Sequence, residues 1–240
     1  MDFPDLPRSG LNVRTVLVAR ILPGILRLDA AESHHVLRVI RLPRGGTLRV
    51  CDGAGQEAIA CLVGAEAGLA TLNVGPLEAT PAPAEALVLL GVPRPALVEE
   101  AVTLGTEAGA TAFWLIRAAR SLPGEVRLDR VERVISAAIK QCGRSDRPNV
   151  RVFASVREAL NAGPGGARFL AAPGGASPGE CWGAAGSGVL ALSVGPEGGW
   201  AIDEVDAFLA ANFVPVSLGS AILRAPTAVA VGLAALHATR

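Results

Sequence analysis

Val189-Leu190-Ala191-Leu192-Ser193-Val194 runs without a break into Gly195-Pro196-Glu197-Gly198-Gly199. Such an apolar run, bounded by glycines, predicts a strong strand. The glycines that follow tolerate unusual φ angles and let backbone approach a ligand closely. Residues 204–211 then carry helical spacing. The same grammar recurs further on. Residues 214–218 form a strand that leads into Gly219-Ser220-Ala221-Ile222-Leu223-Arg224, and an Ala-rich helix is expected over 227–237. In open α/β sheets, ligands occupy the crevice beyond the carboxyl ends of the strands, between neighbouring loops. Neither loop is a GxGxxG or carries the Lys-Ser/Thr of a P-loop, which disfavours a phosphate-rich nucleotide. On glycine spacing alone, two ordinary strand-to-helix turns are the better account.

Working outward, residues 86–92 form a second continuous apolar run. Leu97, Val98, Ala101, Val102, Leu104 and Ala108 follow at helical spacing, and residues 111–116 read as a strand. Asp129 with Glu132 resembles a helix-starting capping box, with Leu128, Val131, Ile135, Ala138 and Cys142 on one face and Gly143 as the stop. Residues 161–188 are rich in Gly, Ala and Pro and hold a strand over 168–172. Strands alternating with helices predict a parallel sheet covered on both faces. Upstream of Thr80-Pro81-Ala82-Pro83-Ala84, a stiff linker, the pattern changes. Short apolar runs at 13–21, 47–51, 59–63 and 70–74 are separated by Pro43-Arg44-Gly45-Gly46 and Asp52-Gly53-Ala54-Gly55, and Asp-Gly signals a hairpin. The expectation is two domains: a small β-barrel or sandwich over 1–79 and an α/β domain over 80–240.

A chain of 240 residues, half of them hydrophobic, can bury two modest cores. It holds no apolar span of about 20 residues, so no membrane helix is expected. The stretch from Met1 to Leu11 lacks a signal-peptide pattern, and the cytoplasm is the expected compartment. Cys51, Cys61, Cys142 and Cys181 form no CxxC pair, and His34, His35 and His237 offer no ligand spacing. Four reduced, mostly buried thiols and no metal are expected. Net charge is zero, which argues against a nucleic-acid partner, but its distribution is uneven. From Arg8 to Arg49, eight arginines face two acids; from Arg117 to Arg151, nine basic residues face four acids. Such excess can attract phosphate, and a solvated surface accounts for it equally well. Lys140 is the single lysine; the arginines supply guanidinium forks suited to phosphates and base edges.

Short blocks follow one another in order along the chain. The first domain supplies His35-Val36-Leu37-Arg38-Val39-Ile40-Arg41 and Cys51-Asp52-Gly53. The second supplies Lys140-Gln141-Cys142-Gly143-Arg144 with Pro148, then residues 194–199 with Glu204. The last block is Ser217-Leu218-Gly219-Ser220-Ala221-Ile222-Leu223-Arg224 with Thr227-Ala228. Together they span nearly the whole chain. This ordered set resembles the 16S ribosomal RNA uracil-N3 methyltransferase family (ribosomal RNA small subunit methyltransferase E), within the SPOUT superfamily of knotted methyltransferases.

The resemblance implies a PUA-like RNA-binding barrel followed by an α/β domain threaded into a trefoil knot, working as a homodimer. It implies transfer of the methyl group of S-adenosylmethionine, without a metal, to N3 of one uridine near the decoding centre of the small ribosomal subunit. The family's cofactor loops map onto Leu170, Ala171 and Ala172, onto Val194, Gly195, Glu197, Gly198 and Gly199, and onto Leu218, Gly219, Ile222, Leu223 and Thr227. A cofactor with an adenine and an amino-acid tail but no phosphate suits an apolar, glycine-rich pocket. Methyl transfer needs an in-line nucleophile, so positioning should supply much of the rate. Uracil N3 carries a proton at neutral pH, and a positioned arginine could stabilise the anion by donating to the base oxygens. Arg224 and Arg144 are the candidates. Arg14, Arg38 and Arg41, with His35 of the first block, are assigned to RNA positioning. Glu197 is expected to bind substrate or to cap the following turn, with the structural role preferred.

The chain departs from the family at Val92-Pro93-Arg94-Pro95-Ala96-Leu97, where a Lys-Gly-Asp-like segment is usual, and at Glu107-Ala108-Gly109. Pro226 stands where the family has glutamate, a change that a first helical turn tolerates. Pro226 favours a second reading, a non-catalytic RNA-binding or ribosome-assembly factor of the same fold. A third is methylation of a different RNA nucleotide.

Overall fold

The computed structural model describes residues 14–185 and 189–239. The stretch from Met1 to Leu11, including Arg8, and Val13 of the first apolar run lie outside the described residues. The chain forms two compact units. One comprises the residues up to Ala82 together with Ile139–Arg147; the other comprises Pro83–Ala138 together with the residues from Pro148 onward.

In the first unit, β1 (Thr15–Leu17), β2 (Gly24–Arg27), β3 (Thr47–Cys51), β4 (Gln56–Glu66) and β5 (Leu69–Val74) order as β1-β3-β4-β5-β2, with β6 (Glu78–Ala79) on β4. All pairs are antiparallel except β1 with β3. Leu48 and Val50, Ala58, Ala60 and Leu62, and Ala70, Leu72 and Val74 alternate along their strands and bury on one face, with Val16, Ile21, Leu28 and Val36. This is the period-two pattern of a sheet with a single dry face. The Asp-Gly signal is met: Asp52 Oδ1 accepts from Ala54 N at 2.7 Å and Gln56 N at 3.0 Å, turning β3 into β4. The tighter β4–β5 turn uses Ala67 and Gly68, both left-handed at φ 49° and 80°. Two such residues match the twist of a hairpin.

Between β2 and β3 the chain forms α1 (Ala30–His34) and then one turn of π-helix, His35–Val39. Asp29 starts it by accepting from Glu32 N at 2.8 Å. Ser33 pins it to the sheet, donating to Leu28 O and accepting from Ala70 N. Neither β2 nor this helical stretch is signalled by sequence periodicity.

The second unit is an α/β fold. Its sheet, ordered β12-β10-β11-β7-β8-β9, is parallel throughout: β7 (Ala86–Gly91), β8 (Ala112–Ile116), β9 (Asn149–Phe153), β10 (Ala167–Ala176), β11 (Leu190–Val194) and β12 (Val214–Val216). Both β7 and β11 are buried at every position, as their unbroken apolar runs require. One face holds α4 (Val156–Asn161) and α6 (Ile202–Ala210), packed around Leu89, Trp114, Ile116, Leu170, Ala191, Trp200 and Phe208. On the other, α2 (Pro95–Glu107) and α7 (Ala225–Ala238) approach closely through small residues. A Cβ on Gly105 would meet Phe113 and Val229; one on Gly232 would meet Leu192. The helix α3 (Leu128–Cys142) starts one residue before Asp129, and α5 (Pro178–Ala185) occupies the Gly/Ala-rich stretch. On α3, Val131, Ile135 and Ala138 are buried, whereas Leu128 and Cys142 are exposed. Among the described residues, no helix is long and apolar enough to cross a membrane.

Candidate cofactor site

At the carboxyl edge of the parallel sheet, β11 and β12 end beside β10, which continues to Ala176. The loops after β11 and β12 do not leave neighbouring strands: β10 lies between them. Leu170 pairs with Ser193 on one side and Pro215 on the other, and Ala171 with Val216. Leu170, Ala171 and Ala172 therefore form the middle of the edge, flanked by Val194 and Gly195 on one side and by Ser217, Leu218 and Gly219 on the other. Leu170 and Val194 are buried; Ala171, Ala172, Gly195 and Leu218 are half-buried.

The loop after β11 sits on a tightly packed base. A Cβ on Gly91, at the end of β7, would lie 2.5 Å from Pro196 Cδ and 2.9 Å from Trp200, so only glycine lets this loop down. Arg94 Nε donates to Glu197 Oε1 at 2.8 Å, and Arg94 N to the same oxygen at 3.3 Å. Burial works to raise the Glu197 carboxyl. The hydrogen bonds from the Arg94 side chain, from its own amide and from the Arg94 amide, together with the Arg94 charge, outweigh it and hold the group below its ordinary range. Arg120 Nη1 donates to Gly198 O at 2.8 Å. Glu204, 8% exposed, accepts from Ala119 N with Oε1 and from Ala201 N with Oε2, both at 2.8 Å. Gly199 turns the chain with φ 69°. Glu197 is thus partnered by Arg94.

The loop after β12 is open. Gly219 has φ 133°, Ile222 is 91% exposed and Leu223 half-buried. Arg224 caps the start of α7 with its side chain 67% exposed, 3.9 Å from Glu100 Oε2. Pro226 is buried in the first turn of that helix, where its ring fits, and Thr227 is exposed.

Arg144 belongs to the first unit. Its Nε donates to Asp146 Oδ1 at 3.0 Å, Nη2 engages Oδ2, and its carbonyl accepts from Arg49 Nη2 at 3.2 Å. Arg49 also reaches Glu57, which accepts from Ser145 Oγ. Arg14, His35, Arg38 and Arg41 gather around the π-helical turn of the same unit. Arg14 Nη1 donates to Ile40 O, Arg41 Nε to Arg38 O, and His35 O accepts from Ile40 N. The carbonyl end of the turn favours such cations. Arg14, Arg38 and Arg41 are exposed, and Arg41 itself is left-handed at φ 55°.

A family model described as an RNA methyltransferase domain matches residues 80–237. Ribosomal RNA small subunit methyltransferase E of Synechocystis is 33% identical over 227 residues, covering 91% of this chain and 75% of that protein. The chain belongs to the ribosomal RNA small subunit methyltransferase E family. A Mycobacterium bovis protein of the same name is 34% identical over 226 residues, 87% of this chain and 84% of that one. The fold is shared with the crystal structure of a ribosomal RNA small subunit methyltransferase E from Neisseria gonorrhoeae bound to S-adenosyl methionine. That likeness has a TM-score of 0.85 at 24% identity, over 95% of this chain and 98% of that one.

Within this family member, sequence reasoning did not single out Arg94, Arg120 or the double acceptance by Glu204. Arg94 stood in view as a departure from the family pattern, and the Glu204 spacing from Ala201 suits the return half of a capping box. Arg120 carried no local signal.

Proposed function

We propose that this chain methylates N3 of a uridine in 16S ribosomal RNA of the small subunit, using S-adenosylmethionine. The observation that carries the reading is the strand order β12-β10-β11, which sets Leu170, Ala171 and Ala172 of β10 between the loops after β11 and β12, in a member of this family. The residues present fit the cofactor. Leu170, Ala171, Ala172, Val194, Leu218, Ile222 and Leu223 offer apolar walls for adenine. Gly195, Gly198, Gly199 and Gly219 present backbone donors and acceptors without side chains, with Thr227 at the helix start. A Cβ at Gly199 or Gly219 would meet no atom within 4 Å, so the edge leaves room beside the loops. Glu197, neutralised by Arg94, supports the floor. Bound there, S-adenosylmethionine supplies the electrophilic methyl carbon of its sulfonium. Arg224, exposed at the head of α7, donates to the uracil oxygens and stabilises the anion left when N3 passes its proton to solvent water. Arg144, the other catalytic candidate, engages Asp146 within the first unit.

The division of labour is RNA binding by residues 1–79 and methyl transfer by 80–240, with Ile139–Arg147 folding with the first part. Arg14, His35, Arg38 and Arg41 position the RNA backbone. A PUA-like fold for the first unit is supported by its mostly antiparallel sheet around one core. A trefoil knot is supported by the path of the chain end: from edge strand β12 it returns past β10 to lay α7 against β11 and α2. Homodimerisation would cover the apolar stripe of Val231, Ala234 and Ala238 on α7. A ribosomal substrate places the work in the cytoplasm.

Calorimetric titration with S-adenosylmethionine tests the cofactor reading, and the absence of binding would refute it. Transfer of tritiated methyl into small subunits lacking the modification, with identification of the product nucleoside, tests the target. Binding without transfer would favour the second reading, a non-catalytic RNA-binding factor, to which Pro226 points. A methylated nucleoside other than N3-methyluridine would move the target to another base.

A further inference from the structure

We propose that Arg120 is a positioning residue for the cofactor loop, acting through the carbonyl of Gly198. The inference rests on the S-adenosylmethionine reading of that loop. Two contacts define the hold. Arg120 Nη1 donates to Gly198 O at 2.8 Å. The aliphatic stem runs along the same residue: a Cβ on Gly198 would stand 3.2 Å from Arg120 Cβ and 3.4 Å from its Cδ. Head and stem both fit against a glycine, and a larger residue would press on the stem.

Arg120 is itself held firmly. It sits in the turn after β8, where Ser121 N donates to Ala118 O at 3.0 Å and Ala118 N to Ser121 Oγ at 3.1 Å. The amide of the preceding residue, Ala119, donates to buried Glu204 Oε1. The other oxygen of Glu204 takes Ala201 N, just past the glycine loop. One carboxylate therefore fixes both the arm that holds the loop and the exit of the loop. On the opposite side Arg94 takes Glu197, so two successive loop residues carry guanidinium contacts.

A glycine-rich loop has the most backbone freedom to lose when a ligand orders it. Contacts that order it beforehand reduce that cost and raise affinity without touching the ligand. Arg120 serves this loop, whereas the residues assigned to RNA lie in the first unit, so its removal separates the two affinities.

The test uses the full chain with Arg120→Ala and Arg120→Lys. Four quantities are measured: S-adenosylmethionine affinity by calorimetry, RNA affinity by filter binding, the cofactor-free thermal midpoint, and hydrogen exchange of the Gly198 and Gly199 amides. Arg120→Ala is expected to weaken cofactor binding roughly tenfold, the size of one charge-assisted hydrogen bond. RNA affinity and thermal midpoint stay at the wild-type level, and the two amides exchange faster. Arg120→Lys, which keeps a donor and the stem, restores part of the affinity. Unchanged cofactor affinity in Arg120→Ala overturns the proposal. So does a joint fall of both affinities with the thermal midpoint, which would mark a merely structural role. A wild-type chain that binds no S-adenosylmethionine overturns the functional reading and this inference together; the wild-type titration tells the two failures apart.

Discussion

The loop after β11 is gripped at Glu197 by Arg94 and at Gly198 by Arg120, over a base that excludes even a methyl group at Gly91. The loop after β12 stands open, with Ile222 91% exposed and Arg224 reaching Glu100 only at 3.9 Å. The two leave the strands on either side of β10. A fixed floor can be shaped before a ligand arrives, and groups that must meet a substrate need to remain free. The difference separates residues that shape the floor from residues that should affect turnover.

Three experiments can break or sharpen that contrast. The largest effect is expected in the open loop. Arg224→Ala should reduce methyl transfer by about 100-fold or more, while unfolding stability moves by no more than about 0.5 kcal/mol. Tritiated-methyl incorporation and urea denaturation read the two halves of this statement; near-normal transfer would remove Arg224 from the chemistry. The clamped loop should respond the other way. Gly91→Ala drives a methyl group against Pro196 and Trp200 and should cost about 1–3 kcal/mol of stability, seen as an earlier denaturant midpoint. A wild-type midpoint would show that the floor yields easily.

The smallest effect concerns pH. The Glu197 carboxyl lies below its ordinary value, so its contact with Arg94 contributes fully above the usual carboxylate range. That contribution fades as pH falls through the depressed value. Cofactor affinity should therefore drop on acidification in the wild-type chain, and the drop should be shallower in Glu197→Gln. Superimposable profiles would show that this ion pair does not hold the floor.

How much of this was readable beforehand follows from the range of each interaction. The strands β7 and β11 were legible because central parallel strands demand unbroken apolar runs. The helix α7 was legible but begins at Ala225, two residues before the expected start, with Pro226 in its first turn. By contrast, β9 shows burial at Phe153 but exposure at Arg151 and Val152, because it is an edge strand, and it leaves no periodic trace. The π-helical turn escaped notice because five residues are too few for a period to emerge. At the site, the glycines of both loops announced themselves, since backbone geometry is local. Their clamps did not: Arg94 lies 103 positions from Glu197, and Arg120 lies 78 from Gly198. Chain order also hid the placement of β10, because adjacency in a parallel sheet need not follow sequence.

Ile139–Arg147 folds with a unit whose other residues end at Ala82. During synthesis, every strand of the first sheet leaves the ribosome well before the segment that completes it. Glu32 waits for Lys140, and Glu57 waits for Ser145. At about 5–20 residues per second, the 56 residues between Ala82 and Ile139 take on the order of 3–11 s. Through that interval the two carboxylates stay hydrated. A polypeptide released at the linker would remain at that unfinished stage, and the two halves of the gene cannot be exchanged as independent cassettes.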